Sequence, residues 1–226
     1  MGGEVTRENS AGFTRVAGAN GAIPKRSTEF LRPRMNWIFG YGSLMWRPGF
    51  AFRDRRPALL TGYHRAFCRL SFRHRGTPEA PGMVVGLMPG GSCRGIAYLP
   101  EPGGEGEALA YLDEREGPGY RRRSLAVEMV VEEAMEIKNG AATASQPAWV
   151  YVPEPSHSSY APSLPRERIV GLIATGVGES GTARAYLRDL IAHLAGIGVH
   201  DPDLEAMLAA VGEFRKGAEG EVRPAI

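Results

Sequence analysis

The periodicity of the apolar residues changes once along this chain, and that change limits the folds open to it. A β-rich run begins at Asn36-Trp37 and ends in Gly-Ser turn chemistry after Tyr41. Further short runs rich in Val, Ile, Tyr and Phe stand at 57–63, 65–72, 83–88, 94–99, 124–131 and 148–152 and predict strands. One helical stretch is embedded among them, over 105–116, with Leu109 and Leu112 at helical spacing and a stop at Gly117. After residue 163 the pattern turns helical. Residues 164–175 carry Pro165 in the first turn and end at Gly176, the usual asymmetry of helix ends. Residues 182–195 carry the stripe Leu187, Leu190, Ile191 and Leu194. Residues 202–216 open on Asp201 and Pro202 and close at Gly217. Strands first and helices last do not give the regular alternation that a doubly wound sheet needs. The pattern predicts an α+β fold with a mixed sheet closing toward a barrel.

Length and punctuation bound the rest. The 226 residues suit one domain, and Gly 30 plus Pro 17 favour short elements over a helical bundle. Residues 1–34 have little apolar periodicity and are expected to form a mobile extension, with Met35 a candidate natural start. The domain is expected over 35–216, with a short tail over 217–226 and polar loops at 136–147 and 153–163. No apolar run reaches the roughly 18 residues of a membrane helix, and the first residues carry no signal-peptide core. The expectation is a cytoplasmic protein with no membrane partner.

Charge narrows the ligand class. The net charge is only +2, with three Lys (Lys25, Lys138, Lys216) among the 27 basic residues and the remainder Arg. Residues 47–75 hold eight Arg against one Asp, whereas 101–136 hold ten acids against four Arg. A basic segment and an acidic one in the same domain suit a small zwitterionic or anionic substrate better than a nucleic acid. Cys68 and Cys93 form no Cys-x-x-Cys pair and read as buried, inert thiols. The five His have no metal-ligand spacing, so neither a metal nor another cofactor is expected.

Three segments could carry chemistry. Gly40-Tyr-Gly-Ser-Leu-Met45 follows a strand but lacks the third glycine of a dinucleotide loop and both flanks of a nucleophile elbow. Such a loop can instead turn backbone N–H groups toward a carboxylate or an oxyanion. Gly176-Val-Gly-Glu-Ser-Gly181 fits G-x-G-x-x-G, but the residues before it read as helix, so a turn between two helices is expected. In Ala110-Tyr-Leu-Asp-Glu-Arg-Glu116, Glu116 ends a helix, where the dipole is already negative. Burial there would raise its pKa toward the range useful for proton abstraction. Asp113 is expected to pair with Arg115 or with an Arg of the 121–123 run.

These segments become specific in combination. Trp37-Ile-Phe-Gly-Tyr-Gly-Ser-Leu-Met-Trp46, His74-Arg-Gly-Thr-Pro78 with Pro81-Gly82, and Ala110–Glu116 with Gly119-Tyr-Arg121 occur in this order. Together with Tyr160, Ser180-Gly181 and Tyr186-Leu187, they closely resemble the ChaC-like γ-glutamylcyclotransferases over roughly residues 35–215. The resemblance implies a γ-glutamylcyclotransferase-like barrel with flanking helices. It implies cleavage of glutathione to 5-oxoproline and cysteinylglycine without a cofactor. It assigns general acid/base catalysis to Glu116 and substrate binding to Ile38, Phe39, Gly40, Tyr41, Gly42, Ser43 and Leu44, with Arg75 as a further contact. Where the family usually has Lys-Gly after the glutamate, this chain has Gly117-Pro118. The alternatives are a cyclotransferase for other γ-glutamyl amines or amino acids and a non-catalytic binding protein with the same fold.

Overall fold

The computed structural model describes residues 36–130 and 143–221. The extension expected over 1–34, residues 136–142 of the loop expected over 136–147 and the tail residues 222–226 lie outside them; residues 143–147 of that expected loop are instead strand, paired along their length with 126–130. Five strands close a barrel: β1 (Trp37–Gly40), β2 (Phe52–Ser71), β3 (Gly82–Pro100), β4 (Tyr120–Val130) and β5 (Thr143–Pro153). Their order around it is β1-β3-β2-β4-β5, and β5 closes back on β1. That last pairing is parallel, with Ile38 opposite Trp149, and the others are antiparallel. The mixed sheet expected from the sequence is therefore a closed barrel, which removes the exposed strand edges.

Two pairs of expected strands prove to be single long ones. The runs 57–63 and 65–72 belong to one β2, and 83–88 and 94–99 to one β3. The glycines between them act as irregularities rather than ends. β2 shifts register between Thr61 and Tyr63, around Gly62, and again between Phe67 and Arg69. Gly90 and Gly91 take φ of 92° and 69° inside β3, opposite the first shift. Bulges of this kind bend a strand and tighten its twist without stopping it.

The embedded helix is α1 (Glu105–Glu116), and α2 (Arg166–Thr175), α3 (Ala183–Ala195) and α4 (Pro202–Glu221) follow the barrel. α4 runs past Gly217, where the sequence suggested a stop. Thr182 caps α3, its hydroxyl accepting from the Ala185 amide at 3.0 Å. The Gly176–Gly181 string forms a minimal hairpin, β6 (Val177–Gly178) with β7 (Gly181–Thr182), between α2 and α3. Its Glu179 and Ser180 amides donate to the Arg73 and His74 carbonyls. They hold a neighbouring loop in place and are not left free for a phosphate.

One apolar cluster runs from the barrel strands, through Phe39, Val85 and Val150, into Ile173, Leu187, Leu190 and Val211 of the C-terminal helices. A second, small one joins α1 to β1: Ile38, Leu44, Ala108, Leu112 and Tyr151. Cys68 and Cys93 are both buried and free, as expected, and burial raises the Cys68 thiol to about 11. Among the described residues no helix is long and apolar enough to cross a membrane.

Candidate active site

The small cluster determines where Glu116 stands. Ala108 and Leu112 are 2% and 0% exposed and lie one turn apart on the face of α1 that packs on Ile38 and Leu44. Glu116 is the next residue at that spacing, so the packing that seats the helix carries the last carboxylate inward with it. The helix ends there. Gly117 takes φ of 64°, which a glycine adopts without strain, and its amide closes on the Asp113 carbonyl. Gly117–Gly119 then form a single tight turn into β4. Pro118 fits that turn, since it needs the fixed φ and no amide donor. The departure at Gly117-Pro118 thus leaves the carboxylate in place.

Glu116 has about a fifth of its side chain exposed and sits beside Arg115, Nε to Oε1 at 3.5 Å. Burial raises its carboxyl above the ordinary range, and the Arg115 and Arg69 guanidiniums pull it back down. Arg115 is also the tie between α1 and the loop after β1. Its Nη2 donates to Ser43 Oγ at 2.8 Å, and its Nη1 donates to the Arg47 and Pro48 carbonyls. The sequence offered Arg115 only as a partner for Asp113. That acid takes the other expected partner, an Arg of the 121–123 run: it pairs with Arg122 at 2.8 Å and accepts the Tyr151 hydroxyl at 2.7 Å, a half-exposed structural pair.

The structure brings the strand-end segment and Glu116 together through this bridge. Ile38 and Phe39 are buried in β1, and Gly40 packs so tightly that a Cβ there would stand 2.9 Å from that of Leu44. The Tyr41 hydroxyl donates to the Tyr151 carbonyl at 2.7 Å, and its own carbonyl accepts Arg65 Nε at 2.8 Å. Ser43–Met45 form one 3-10 turn, closed by the Met45 amide on the Gly42 carbonyl. The leading amides of such a turn have no partner within it. The hydroxyls of Tyr41, Tyr120 and Tyr186 are all held protonated, first by burial, and the Glu116 carboxylate adds to that in each.

Arg75 stands elsewhere. It is 5% exposed, its Nη1 donates to the Thr182 carbonyl at 3.2 Å, and its guanidinium lies 5.5 Å over the Tyr186 ring. Those partners brace the start of α3. The buried arginine at the turn that follows Glu116 is Arg69, 7% exposed, its Nη1 on the Gly119 carbonyl at 2.7 Å; the sequence reading did not single it out. It lies in an arginine-rich stretch where nothing local marks one residue from the next.

The family model described as ChaC-like protein matches residues 36–214. This chain belongs to the ChaC-like family. The ChaC-like chain is 34% identical over 191 residues to the glutathione-specific gamma-glutamylcyclotransferase of Escherichia coli K12, covering 83% of this chain and 78% of that one. It is 35% identical over 199 residues to human glutathione-specific gamma-glutamylcyclotransferase 1, covering 84% and 86%. The crystal structure of a yeast gamma-glutamyl cyclotransferase specific to glutathione has the same fold, with a TM-score of 0.70 at 24% identity, covering 79% of this chain and 96% of that one. The barrel of this ChaC-like protein is thus the γ-glutamylcyclotransferase fold expected from the sequence.

Proposed function

We propose that the protein cleaves glutathione to 5-oxoproline and cysteinylglycine, with residues 35–216 as a single catalytic domain and Glu116 as general acid and base. The observation that carries this reading is the partly buried Glu116 carboxylate, carried toward the Tyr41–Leu44 segment by the packing of α1 and linked to it through Arg115. The family membership and the full-length relatives that bear this activity in their names support it.

The chemistry follows from the substrate. The α-ammonium of a γ-glutamyl group cannot attack until it loses a proton. Glu116, raised by burial above the ordinary carboxylate range, is the group to take that proton. The freed amine attacks its own γ-carbonyl and forms the C–N bond of a five-membered lactam. The carbonyl oxygen becomes an oxyanion, and this reading gives it the leading amides of the Ser43 turn as donors. The γ-amide bond then breaks as protonated Glu116 gives its proton to the departing cysteinyl nitrogen, and the second proton of the attacking nitrogen passes by the same carboxylate to that amine, leaving a neutral lactam and an ammonium on cysteinylglycine. No water or external nucleophile is consumed. The attack is intramolecular, so holding the γ-glutamyl arm folded supplies much of the rate. Ile38, Phe39 and Leu44 wall this turn, and Gly40, Tyr41, Gly42 and Ser43 form it. The reading takes a small zwitterionic peptide as partner, in the cytoplasm, with no nucleic acid, membrane or cofactor.

The test is a panel of purified-protein assays on reduced glutathione, γ-glutamyl-alanine and γ-glutamyl-lysine, with release of 5-oxoproline as the readout. Turnover of glutathione above the other two is expected. Preference for another γ-glutamyl compound would move the assignment within the same chemistry. No turnover of any of them would favour a binding role.

A further inference from the structure

Near the end of β2 two successive residues, Cys68 and Arg69, are both buried, at 0% and 7% exposure. A regular strand sends neighbours to opposite faces, and the register shift between Phe67 and Arg69 is where this one departs from that rule. The Arg69 guanidinium lies over the Tyr120 ring, 4.2 Å from its centroid, and Nη1 donates to the Gly119 carbonyl at 2.7 Å. Its Nε is buried without a partner, and Nη1 is the one nitrogen bonded among the described residues. A fork of five donors is therefore held below the turn that follows Glu116 with most of its capacity unused.

The neighbouring charges leave Arg69 the cation with donors to spare. Arg115 gives its guanidinium to Ser43, Arg47, Pro48 and Glu116. Arg65 is given to the Tyr41 and Arg94 carbonyls, and Arg75, which like Arg69 bonds one carbonyl and lies over one ring, braces the start of α3 and has no buried nitrogen left unpartnered as Arg69 Nε is. Glu154 shares the Gly119 carbonyl through its amide, but its carboxylate pairs with Arg121 and accepts from Ser156. The carboxylate whose field Arg69 shares is Glu116. A buried guanidinium without full hydrogen bonding is costly to keep unless an anion completes it.

A γ-glutamyl group carries its ammonium and its carboxylate on one carbon. If Glu116 receives the ammonium, the carboxylate must find a cation within a few ångströms of Glu116. We infer that Arg69 binds the α-carboxylate of the γ-glutamyl group, so that Glu116 and Arg69 together read the zwitterionic end of the substrate. This rests on the cyclotransferase reading above. It leaves the amides of the Ser43 turn to the oxyanion and makes Arg69 a specificity-determining binding residue rather than a catalytic one.

The test uses three peptides with wild-type protein, Arg69→Gln and Arg69→Lys: glutathione, glutathione with its γ-glutamyl α-carboxylate converted to the carboxamide, and glutathione with its glycine carboxylate converted to the carboxamide. A lost charge-assisted contact corresponds to roughly 10- to 100-fold in kcat/KM. Wild type is expected to lose that factor on the α-carboxamide and little on the glycine carboxamide. Arg69→Gln is expected to lose the same factor on glutathione, mostly in KM, and nothing further on the α-carboxamide. Arg69→Lys keeps the cation and recovers part of the loss, and it serves as the test variant if the glutamine protein does not fold. Equal losses on all three peptides would assign Arg69 a purely structural role and overturn the inference. Losses that track the glycine carboxamide would overturn it in favour of the distal carboxylate. A wild-type protein that releases no 5-oxoproline from glutathione would instead strike the parent reading, and the substrate panel separates that outcome from the other two.

Discussion

Gly119→Ala gives a direct measure of how rigidly the arginine at the turn after the proposed base is held. A Cβ at Gly119 would stand 2.3 Å from Arg69 Nη2, 2.5 Å from Nη1 and 2.8 Å from Cζ. Ordinary contact needs about 1 Å more. The guanidinium cannot retreat easily, because the Tyr120 ring lies against it and β2 fixes its root. Overpacking of this kind costs about 1–3 kcal/mol, and a broken charge-assisted bond to the Gly119 carbonyl adds to it, so about 2–4 kcal/mol is expected in total. For a domain of this size that corresponds to a fall of roughly 5–15 °C in Tm. The assay is urea and thermal unfolding of wild type, Gly119→Ala, Arg69→Ala and the double variant. Since the three atoms nearest the added methyl all belong to the Arg69 guanidinium, the double variant should be no less stable than Arg69→Ala alone, a coupling that additivity cannot give. A Gly119→Ala protein within about 0.5 kcal/mol of wild type, or additive costs in the double variant, would refute the packing described here.

Other expectations follow from the same geometry. Burial raises Glu116, so kcat/KM should rise with pH along a limb set above the usual glutamate range, and removing Arg69 or Arg115, both of which lower that pKa, should move the limb further up. The sign for stability is the reverse of the usual carboxylate case. A folded-state pKa above the unfolded value gives stability that is full below the unfolded pKa and lost as pH rises through the folded one. Denaturant melts across that range should therefore show Glu116→Gln flatter with pH than wild type. Asp113→Asn breaks a half-exposed pair with Arg122 and should cost under about 1 kcal/mol and leave turnover within about twofold, as measured by melts and steady-state kinetics.

The sequence made some of this legible and hid the rest for identifiable reasons. The strand-then-helix order yields the closed barrel because no alternation was available to build anything else. Glu116 was readable as an acid at a helix end; its place on the Ala108–Leu112 face was not, because Leu109 and Leu112 made the visible stripe and only packing on Ile38 and Leu44 shows which face is buried. The long β2 and β3 were not readable, because Gly62 and Gly90-Gly91 look like chain ends when each run is taken alone. They act as bulges only because the facing strand continues past them. Arg69 was hidden for a stronger reason. Its burial depends on a register shift in β2 and on a glycine fifty residues away that leaves room for its guanidinium. Neither has a local signature. Arg75 had the opposite history: it stands in a matched motif, yet its partners are the α3 cap and a tyrosine ring.

The central claim is that one carboxylate carries the proton in both directions. Glu116→Gln keeps the size of the side chain and removes that capacity. Wild type and Glu116→Gln are to be incubated side by side with reduced glutathione, with 5-oxoproline and cysteinylglycine quantified and folding checked by melting. The account predicts equal amounts of the two products from wild type and at least about a 100-fold loss of their formation in a folded Glu116→Gln protein. Undiminished release of 5-oxoproline by that variant would contradict it.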